Sequence, residues 1–170
     1  MKRRHWLWLV AVALAATAVS LVDWRRPEWL KPLIATRFPR VDWVDTRTLA
    51  EWMTASEHTR PLILDARSHD EFAVSHLEGA LRVDPERPEL GSLRVPEDTS
   101  VVVYCSVGYR SAAIVEKLSA AGVDDVYNLT GGIFAWANEG RPIVKSGEPA
   151  TSVHPYNDIW GYFLSQDRAH

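Results

Sequence analysis

The sequence predicts an α/β fold built on a parallel β-sheet. From Val41 onward, short apolar runs typical of buried strands alternate with segments of helical periodicity. One of these runs, Val101–Tyr104, carries no charge and leads directly into the only cysteine of the chain, Cys105. The chain has 170 residues, of which 46% are hydrophobic, which is enough for one domain with a buried core.

The first half of this domain contains two strands and two helices in alternation. Residues 41–44 have the pattern of a short strand, and Asp45 or Thr46 can cap the helix that follows. Residues 61–65 form a buried strand that ends in a carboxylate. Residues 68–71 have the form of a capping box and therefore open a short helix.

In the second half of the domain, predicted strands and helices again alternate, before and after Cys105. Residues 79–83 combine a turn with a strand, and residues 84–99, rich in proline and acidic residues, are predicted to form a loop. The remaining elements are the central strand Val101–Tyr104, a helix over 110–121 with Gly122 at its C-cap, a strand over Val126–Leu129 and a short helix around 134–138.

The N-terminus has the composition of a targeting segment. Residues 6–22 carry no charge and follow a basic head, so residues 1–22 are predicted to be an apolar helix that acts as a cleaved signal peptide or a membrane anchor. Tryptophans near both ends of the tract favour the anchor. We therefore expect an exported protein, anchored on the periplasmic side of a bacterial inner membrane or soluble in the periplasm.

Two further segments flank the domain, which is predicted to span residues 41–147. Residues 23–40 contain three prolines and are predicted to be a linker. Residues 148–170 are predicted to be a tail with a short amphipathic helix, which either packs on the domain or contacts a membrane or a partner.

Charge and cysteine content exclude several functions. The chain has 19 basic and 22 acidic residues, a formal net charge of -3, and three of the basic residues lie in the N-terminal head. Such an acidic body does not suit a nucleic-acid partner. One cysteine cannot form an intramolecular disulfide, and the six histidines show no metal-ligand spacing. We expect no metal and no cofactor.

The stretch from Cys105 to Arg110 is the candidate site, and we call it the Cys105 loop. A strand delivers Cys105 into this loop, Gly108 permits a tight turn, and Ser111 lies at the start of the next helix. Backbone N–H groups, a helix N-terminus and the Arg110 guanidinium would then surround one sulfur. Each of these groups favours the thiolate, so Cys105 is predicted to be reactive.

The sequence resembles a single rhodanese (sulfurtransferase) domain over residues 41–144. Four motifs in the right order carry this resemblance: Leu64-Asp65-Ala66-Arg67; Glu71-Phe72 with Ser75-His76-Leu77-Glu78-Gly79-Ala80; Val103-Tyr104-Cys105-Ser106-Val107-Gly108-Tyr109-Arg110-Ser111; and Asn128-Leu129-Thr130-Gly131-Gly132-Ile133-Phe134-Ala135-Trp136. The resemblance implies a five-stranded parallel sheet flanked by helices. It also implies that the loop cysteine accepts a sulfane sulfur as a persulfide, with thiosulfate as the usual assay donor and cyanide as the usual acceptor.

The resemblance implies a role for each site residue. Cys105 would be catalytic, and the substrate would be bound by Ser106, Val107, Gly108, Tyr109, Arg110 and Ser111. Arg110 would orient the donor or pair with a carboxylate, for which Asp65 is the candidate, with Arg67 nearby as a second supporting residue. The alternative for Asp65 and Arg67 is a structural ion pair. His76 is expected to pack or to stabilise a turn, because persulfide chemistry needs no histidine base.

Two other functions remain open at this point. Phosphatases and arsenate reductases share the fold, but their cysteine-arginine loop is one residue longer than the six residues here. A binding module that docks a partner protein would not need both Cys105 and Arg110. The partners expected are a small sulfur donor and a thiol or cyanide acceptor. Because Ser106, Val107 and Tyr109 are neutral, efficient use of dianionic thiosulfate is not expected.

Overall fold

The computed structural model describes residues 25–54, 60–96 and 98–170. The predicted signal peptide or anchor at residues 1–22 lies outside these ranges. Within them, no helix is both long enough and apolar enough to cross a membrane.

A five-stranded, all-parallel sheet forms the centre of the molecule, in the order β1-β5-β4-β2-β3. Its strands are β1 (Asp42–Val44), β2 (Leu62–Asp65), β3 (Leu81–Arg82), β4 (Val101–Tyr104) and β5 (Val126–Leu129). The predicted α/β architecture with five parallel strands is therefore confirmed.

Helices cover both faces of the sheet. They are α1 (Lys31–Arg37), α2 (Thr46–Thr54), α3 (His69–Val74), α4 (Tyr109–Ala120), α5 (Gly132–Asn138) and α6 (Asp158–Gly161). The capping box predicted at Ser68 is present, since Ser68 Oγ accepts from the backbone N–H of Glu71 and the Glu71 carboxylate accepts from the N–H of Ser68. The described part of residues 84–99, which leaves out residue 97, contains only a short 3-10 turn and otherwise lacks regular structure, as expected for a loop.

The central strand β4 is buried on both faces, which explains its uninterrupted apolar sequence. Val102 and Tyr104 point into one core cluster with residues of α2 and α5. Val101, Val103 and Cys105 point into the other, with residues of α1 and α4. The alternation of a β-strand thus places Cys105 on the face that α4 covers.

The candidate site lies at the carboxyl edge of the sheet, where the winding of the chain changes direction. β2 connects to its neighbour β3 on one side, whereas β4 connects to its neighbour β5 on the other. The helices after β2 and β4 therefore diverge, and an opening results between the carboxyl ends of these two strands. Asp65 ends β2 and Cys105 follows β4, so both lie at this edge.

The segment before β1 differs from the predicted linker. Residues Pro27–Leu30 form a 3-10 turn that continues into α1, with a proline in the first turn of each. Proline is tolerated there because the first N–H groups of a helix have no partner within it. Ile34 and Phe38 are 4% and 5% exposed and belong to the core. This segment is therefore packed against the domain.

The chain beyond α5 also contains structure that the sequence did not predict. Ile143–Lys145 and Glu148–Ala150 pair as the antiparallel hairpin β6-β7, and Val144 forms a bridge with His76. The helix expected in the tail is only four residues long, with Asn157 as its N-cap. The tail is held to the domain by the buried Leu164 and by hydrogen bonds between the Asn138 side chain and the backbone of Phe163 and Ser165.

Candidate functional site

Cys105 is buried at the end of β4, with two hydrogen-bond donors aimed at its sulfur. The backbone N–H of Gly108 lies 3.2 Å from Sγ and the Ser111 hydroxyl lies 3.4 Å from it. Helix α4 starts at Tyr109, so its N-terminus faces the same sulfur. Two hydrogen-bond donors and a helix N-terminus thus meet at this sulfur, an arrangement that suits an anionic group.

Gly108 makes the tight turn that brings the helix start back to the sulfur. Its φ of 109° is unfavourable for residues with a side chain, and a Cβ there would lie 3.4 Å from the Trp43 ring. The side-chain amide of Asn128, on neighbouring β5, donates to the Gly108 carbonyl at 2.8 Å. Asn128 is fully buried, so it fixes this turn to the sheet.

Helix α5 holds the Cys105 loop from the opposite side. The N–H of Ile133 donates to the Cys105 carbonyl at 2.9 Å, and the N–H of Phe134 donates to the Ser106 carbonyl at 3.1 Å. Gly132 permits this approach, because a Cβ at that position would collide with the Cys105 carbonyl oxygen. Since N–H and C=O point in opposite directions across a trans peptide, the N–H groups of Ser106 and Val107 point away from α5.

Arg110 is bound to Glu71 and does not pair with Asp65 as the sequence analysis expected. Its Nη1 and Nη2 donate to the two carboxylate oxygens of Glu71 at 2.7 Å each, and Nη2 also donates to Ser106 Oγ at 2.9 Å. Ser106 Oγ in turn donates to Glu71 at 2.9 Å. The ion pair therefore connects both ends of the Cys105 loop to α3.

In the Glu71–Arg110 pair, each group stabilises the charged form of the other. Burial by itself would raise the pKa of Glu71, but the hydrogen bonds and charge of Arg110 outweigh it and lower the pKa to about 2. Burial by itself would lower the pKa of Arg110, but Glu71 and the nearby Cys105 sulfur raise it. Both groups are thus ionised throughout the neutral range.

Sequence reasoning missed Glu71 as a site residue, although it identified the capping box to which it belongs. The Glu71 carboxylate has two roles. It accepts a hydrogen bond from the N–H of Ser68 at the start of α3, and it also binds Arg110. Glu71 is only 1% exposed. A buried carboxylate in the first turn of a helix indicates that it has a charged partner besides the capped backbone N–H.

Asp65 and Arg67 form a separate buried ion pair. Arg67 Nη2 donates to Asp65 at 2.7 Å and to the Ser75 carbonyl at 2.6 Å, and the Tyr104 hydroxyl also donates to Asp65. Both ionic side chains are fully buried. These contacts join the end of β2 to β4 and to the chain after α3. Of the two readings of these residues, the structural ion pair is therefore the one observed, and it stabilises the edge of the sheet.

His76 has the packing role that the sequence analysis expected. Its ring stacks on Phe72 with 3.9 Å between ring centroids, and its Nδ1 lies 3.0 Å from the Phe72 carbonyl oxygen. Its backbone also forms the bridge to Val144. These contacts hold the chain after α3 against the β6-β7 hairpin.

A cleft of about 360 Å³ opens onto Cys105, and most of its walls are apolar. One wall belongs to α1 and the turn before it, and the other to the C-terminal tail. Its lining comprises Leu30, Leu33, Ile34, Cys105, Ser106, Val107, Tyr109, Arg110, Tyr156 and Trp160. The sequence analysis did not assign the tail to the site, because no local pattern shows which part of the domain a tail will contact.

Comparison with known proteins agrees with this architecture. A sulfurtransferase from Allochromatium vinosum is 34% identical over 104 residues, which cover 61% of this chain and 95% of that protein. The probable adenylyltransferase/sulfurtransferase MoeZ from Mycobacterium tuberculosis is 30% identical over 101 residues, 58% of this chain, but this chain spans only 25% of that protein. Among solved structures, a rhodanese-related protein from Thermoplasma volcanium superimposes with a TM-score of 0.52 at 28% identity, covering 61% of this chain and 97% of that one.

The family comparison covers more than half of the chain. Residues 45–139 match the family described as "Rhodanese-like domain". This range includes strands β2 to β5, the Cys105 loop and the Glu71–Arg110 pair. The chain belongs to the rhodanese-like domain family.

Proposed function

We propose that the protein is a sulfurtransferase that moves a sulfane sulfur from a donor to a thiophilic acceptor through a persulfide on Cys105. The observation that carries this proposal is the pair of donors on the Cys105 sulfur, from Gly108 and Ser111, at the N-terminus of α4. Membership of a family with sulfurtransferase-named relatives supports it.

The first half-reaction needs only the cysteine thiolate. Cys105 attacks the outer sulfur of a donor such as thiosulfate, so a new S–S bond forms and the S–S bond of the donor breaks. The electron pair of the broken bond leaves with sulfite. No proton is transferred, so the step needs no histidine base, and His76 is engaged with Phe72.

The second half-reaction returns the enzyme to its first state. The acceptor, cyanide or a thiolate, attacks the terminal sulfur of the Cys105 persulfide, and the electron pair of that S–S bond returns to Cys105. With cyanide the product is thiocyanate. Cys105 is the only cysteine in the chain, so the acceptor must come from another molecule.

The Cys105 loop suits a persulfide because it presents donors on its inner side. The terminal sulfur of a persulfide extends about 2 Å beyond Sγ. The N–H groups of Ser106 and Val107 face away from α5, and those of the first turn of α4 face the end of the loop. Fixed donors of this kind stabilise developing negative charge without reorganisation during the reaction.

Arg110 acts mainly as a structural partner in this mechanism. Its guanidinium is engaged with both oxygens of Glu71, so the pair contributes little net positive charge to the cleft. Dianionic thiosulfate is therefore a weak donor in our proposal, and persulfides or polysulfides of lower charge are better ones.

Intact-mass spectrometry of the full-length chain tests the proposal. After incubation with thiosulfate or with polysulfide, the protein is expected to gain one sulfur atom, to lose it on adding cyanide with formation of thiocyanate, and to gain none as Cys105→Ser. Hydrolysis of an aryl phosphate without any sulfur adduct would instead assign the protein to the phosphatases that share the fold. If neither a sulfur adduct nor phosphate hydrolysis is observed, the protein would be assigned as a binding module.

A further inference from the structure

The cleft over Cys105 contains a large apolar surface that transfer from thiosulfate to cyanide does not require. Leu33 is 68% exposed and Tyr156 is 48% exposed, although both line this opening. Isolated exposed apolar residues are ordinary, but several around a concave site next to a buried thiol are typical of a ligand pocket.

The walls of the cleft come from outside the segment that matches the family. Leu30, Leu33 and Ile34 precede residue 45, and Tyr156 and Trp160 follow residue 139. Contacts within the structure hold both walls in place. The Phe38 ring packs edge-on against Tyr109 at 5.5 Å, and hydrogen bonds of the Asn138 side chain to the backbone of Phe163 and Ser165 hold the tail.

The cleft has little charge to offer a dianion. Among the described residues that line it, Arg110 alone is ionic, and its guanidinium is bound to Glu71 and lies 4.8 Å from the centroid of the Tyr156 ring. Tyr156 therefore covers the cation with an aromatic face. Apart from the donors around Cys105, a small anion such as thiosulfate would contact one arginine that is already paired with Glu71 and mostly apolar side chains.

We infer that the cleft binds sulfane-sulfur donors whose reactive sulfur is attached to an apolar group, aryl or alkyl, and that Leu33, Tyr156 and Trp160 contact this group. The inference rests on the proposed sulfur transfer and assigns its substrate class. A volume of about 360 Å³ accommodates a small organic group, and Cys105 is one of the residues that line it.

The chemistry of such a donor balances with the residues present. An arenethiosulfonate carries its outer sulfur on a sulfonyl group and has a single negative charge. The Cys105 thiolate attacks the outer sulfur, a Cys105 persulfide forms, and the S–S bond breaks with its electron pair leaving on the arenesulfinate. No oxidant, reductant or proton is required.

Two donors of equal charge separate the effect of the apolar group from the effect of charge. Benzenethiosulfonate and methanethiosulfonate share the reactive group and differ in the substituent. With cyanide as acceptor and thiocyanate as readout, we expect kcat/KM of the full-length protein to be on the order of tenfold higher for the benzene compound.

Leu33→Ala tests whether this preference comes from the cleft. Removing the Leu33 side chain is expected to lower the ratio of the two kcat/KM values about threefold, because less apolar surface then contacts the phenyl ring. Comparing ratios cancels the intrinsic reactivities of the two donors. Leu81→Ala is the matched control, since Leu81 is 52% exposed on the outermost strand β3 and does not line the cleft.

The outcomes distinguish this inference from the proposed function. If both donors load Cys105 and the ratio is the same in wild type and Leu33→Ala, the inference is overturned and the cleft has another occupant, such as a peptide of a partner; sulfur transfer itself would stand. If no donor of any kind yields a Cys105 persulfide, the proposed function fails, and the inference fails with it. A lower ratio in Leu33→Ala together with an unchanged ratio in Leu81→Ala supports it.

Discussion

Replacing Glu71 with glutamine tests whether its ion pair with Arg110 stabilises the fold around the Cys105 loop. Glutamine keeps the size of the side chain and one acceptor oxygen, but it removes the charge and cannot accept both guanidinium hydrogen bonds. Arg110 would keep its charge with only 24% of its side chain exposed to solvent. The substitution therefore leaves a largely desolvated cation without its counter-ion.

The magnitude follows from the pKa of Glu71. Lowering this pKa from 4.5 to about 2 corresponds to roughly 3 kcal/mol of folding free energy at neutral pH. Solvent reaches part of Arg110 and screens the pair, so we expect Glu71→Gln to lower the free energy of unfolding by about 2 kcal/mol at pH 7. Because the pKa is lower in the folded state, this contribution is complete above about pH 4.5 and disappears as the pH falls toward 2.

Urea denaturation of the full-length protein, followed by tryptophan fluorescence, measures this difference. Between pH 7 and pH 3, the gap between wild type and Glu71→Gln should shrink to less than about 1 kcal/mol. Glu116→Gln is the control, because Glu116 forms only a long 3.9 Å pair with the exposed Arg40, and a change within about 0.5 kcal/mol is expected. A Glu71→Gln variant as stable as wild type at pH 7, or a gap that does not change with pH, would refute the reasoning.

Two further substitutions test other contacts of the site. Gly132→Ala places a methyl group against the Cys105 carbonyl and should cost about 2–4 kcal/mol in urea denaturation and slow sulfur transfer to cyanide, whereas Gly122→Ala, which also has a positive φ but an open surround, should cost only about 1 kcal/mol. Equal losses in the two variants would show that the contact with α5 does not matter. Arg67→Met leaves the buried Asp65 carboxylate without its counter-ion and should cost about 3–5 kcal/mol, measured by the same denaturation. A loss below about 1 kcal/mol would show that the Asp65–Arg67 pair contributes little to the stability of the fold.

The parts of the site that the sequence predicted are those encoded within a few residues. A buried strand, a cysteine, a glycine and a helix start follow one another between Val101 and Ser111, so local rules place the donors around the sulfur. The same rules predicted the capping box at Ser68. Each of these features depends on contacts between residues close in sequence.

The parts that the sequence did not predict depend on contacts between distant segments. Glu71 and Asp65 are both acidic residues near the end of β2, and only the fold shows which of them reaches Arg110. Tyr156 lies 46 residues after Arg110 in the chain, and the residues next to Tyr156 in the sequence do not indicate that the two side chains are in contact. Helix α1 was obscured by its proline, Pro32, which occupies a position in the first turn where a helix tolerates it.

The hydrogen bonds from α5 to the carbonyls of Cys105 and Ser106 have an energetic consequence for turnover. They orient the peptide dipoles of the Cys105 loop when the chain folds, so the loop is preorganised before any ligand binds. In the proposed reaction, a transferred sulfur would meet a polar environment already arranged for its charge. Helix α5 would in this way reduce the rearrangement that each cycle of the proposed reaction requires.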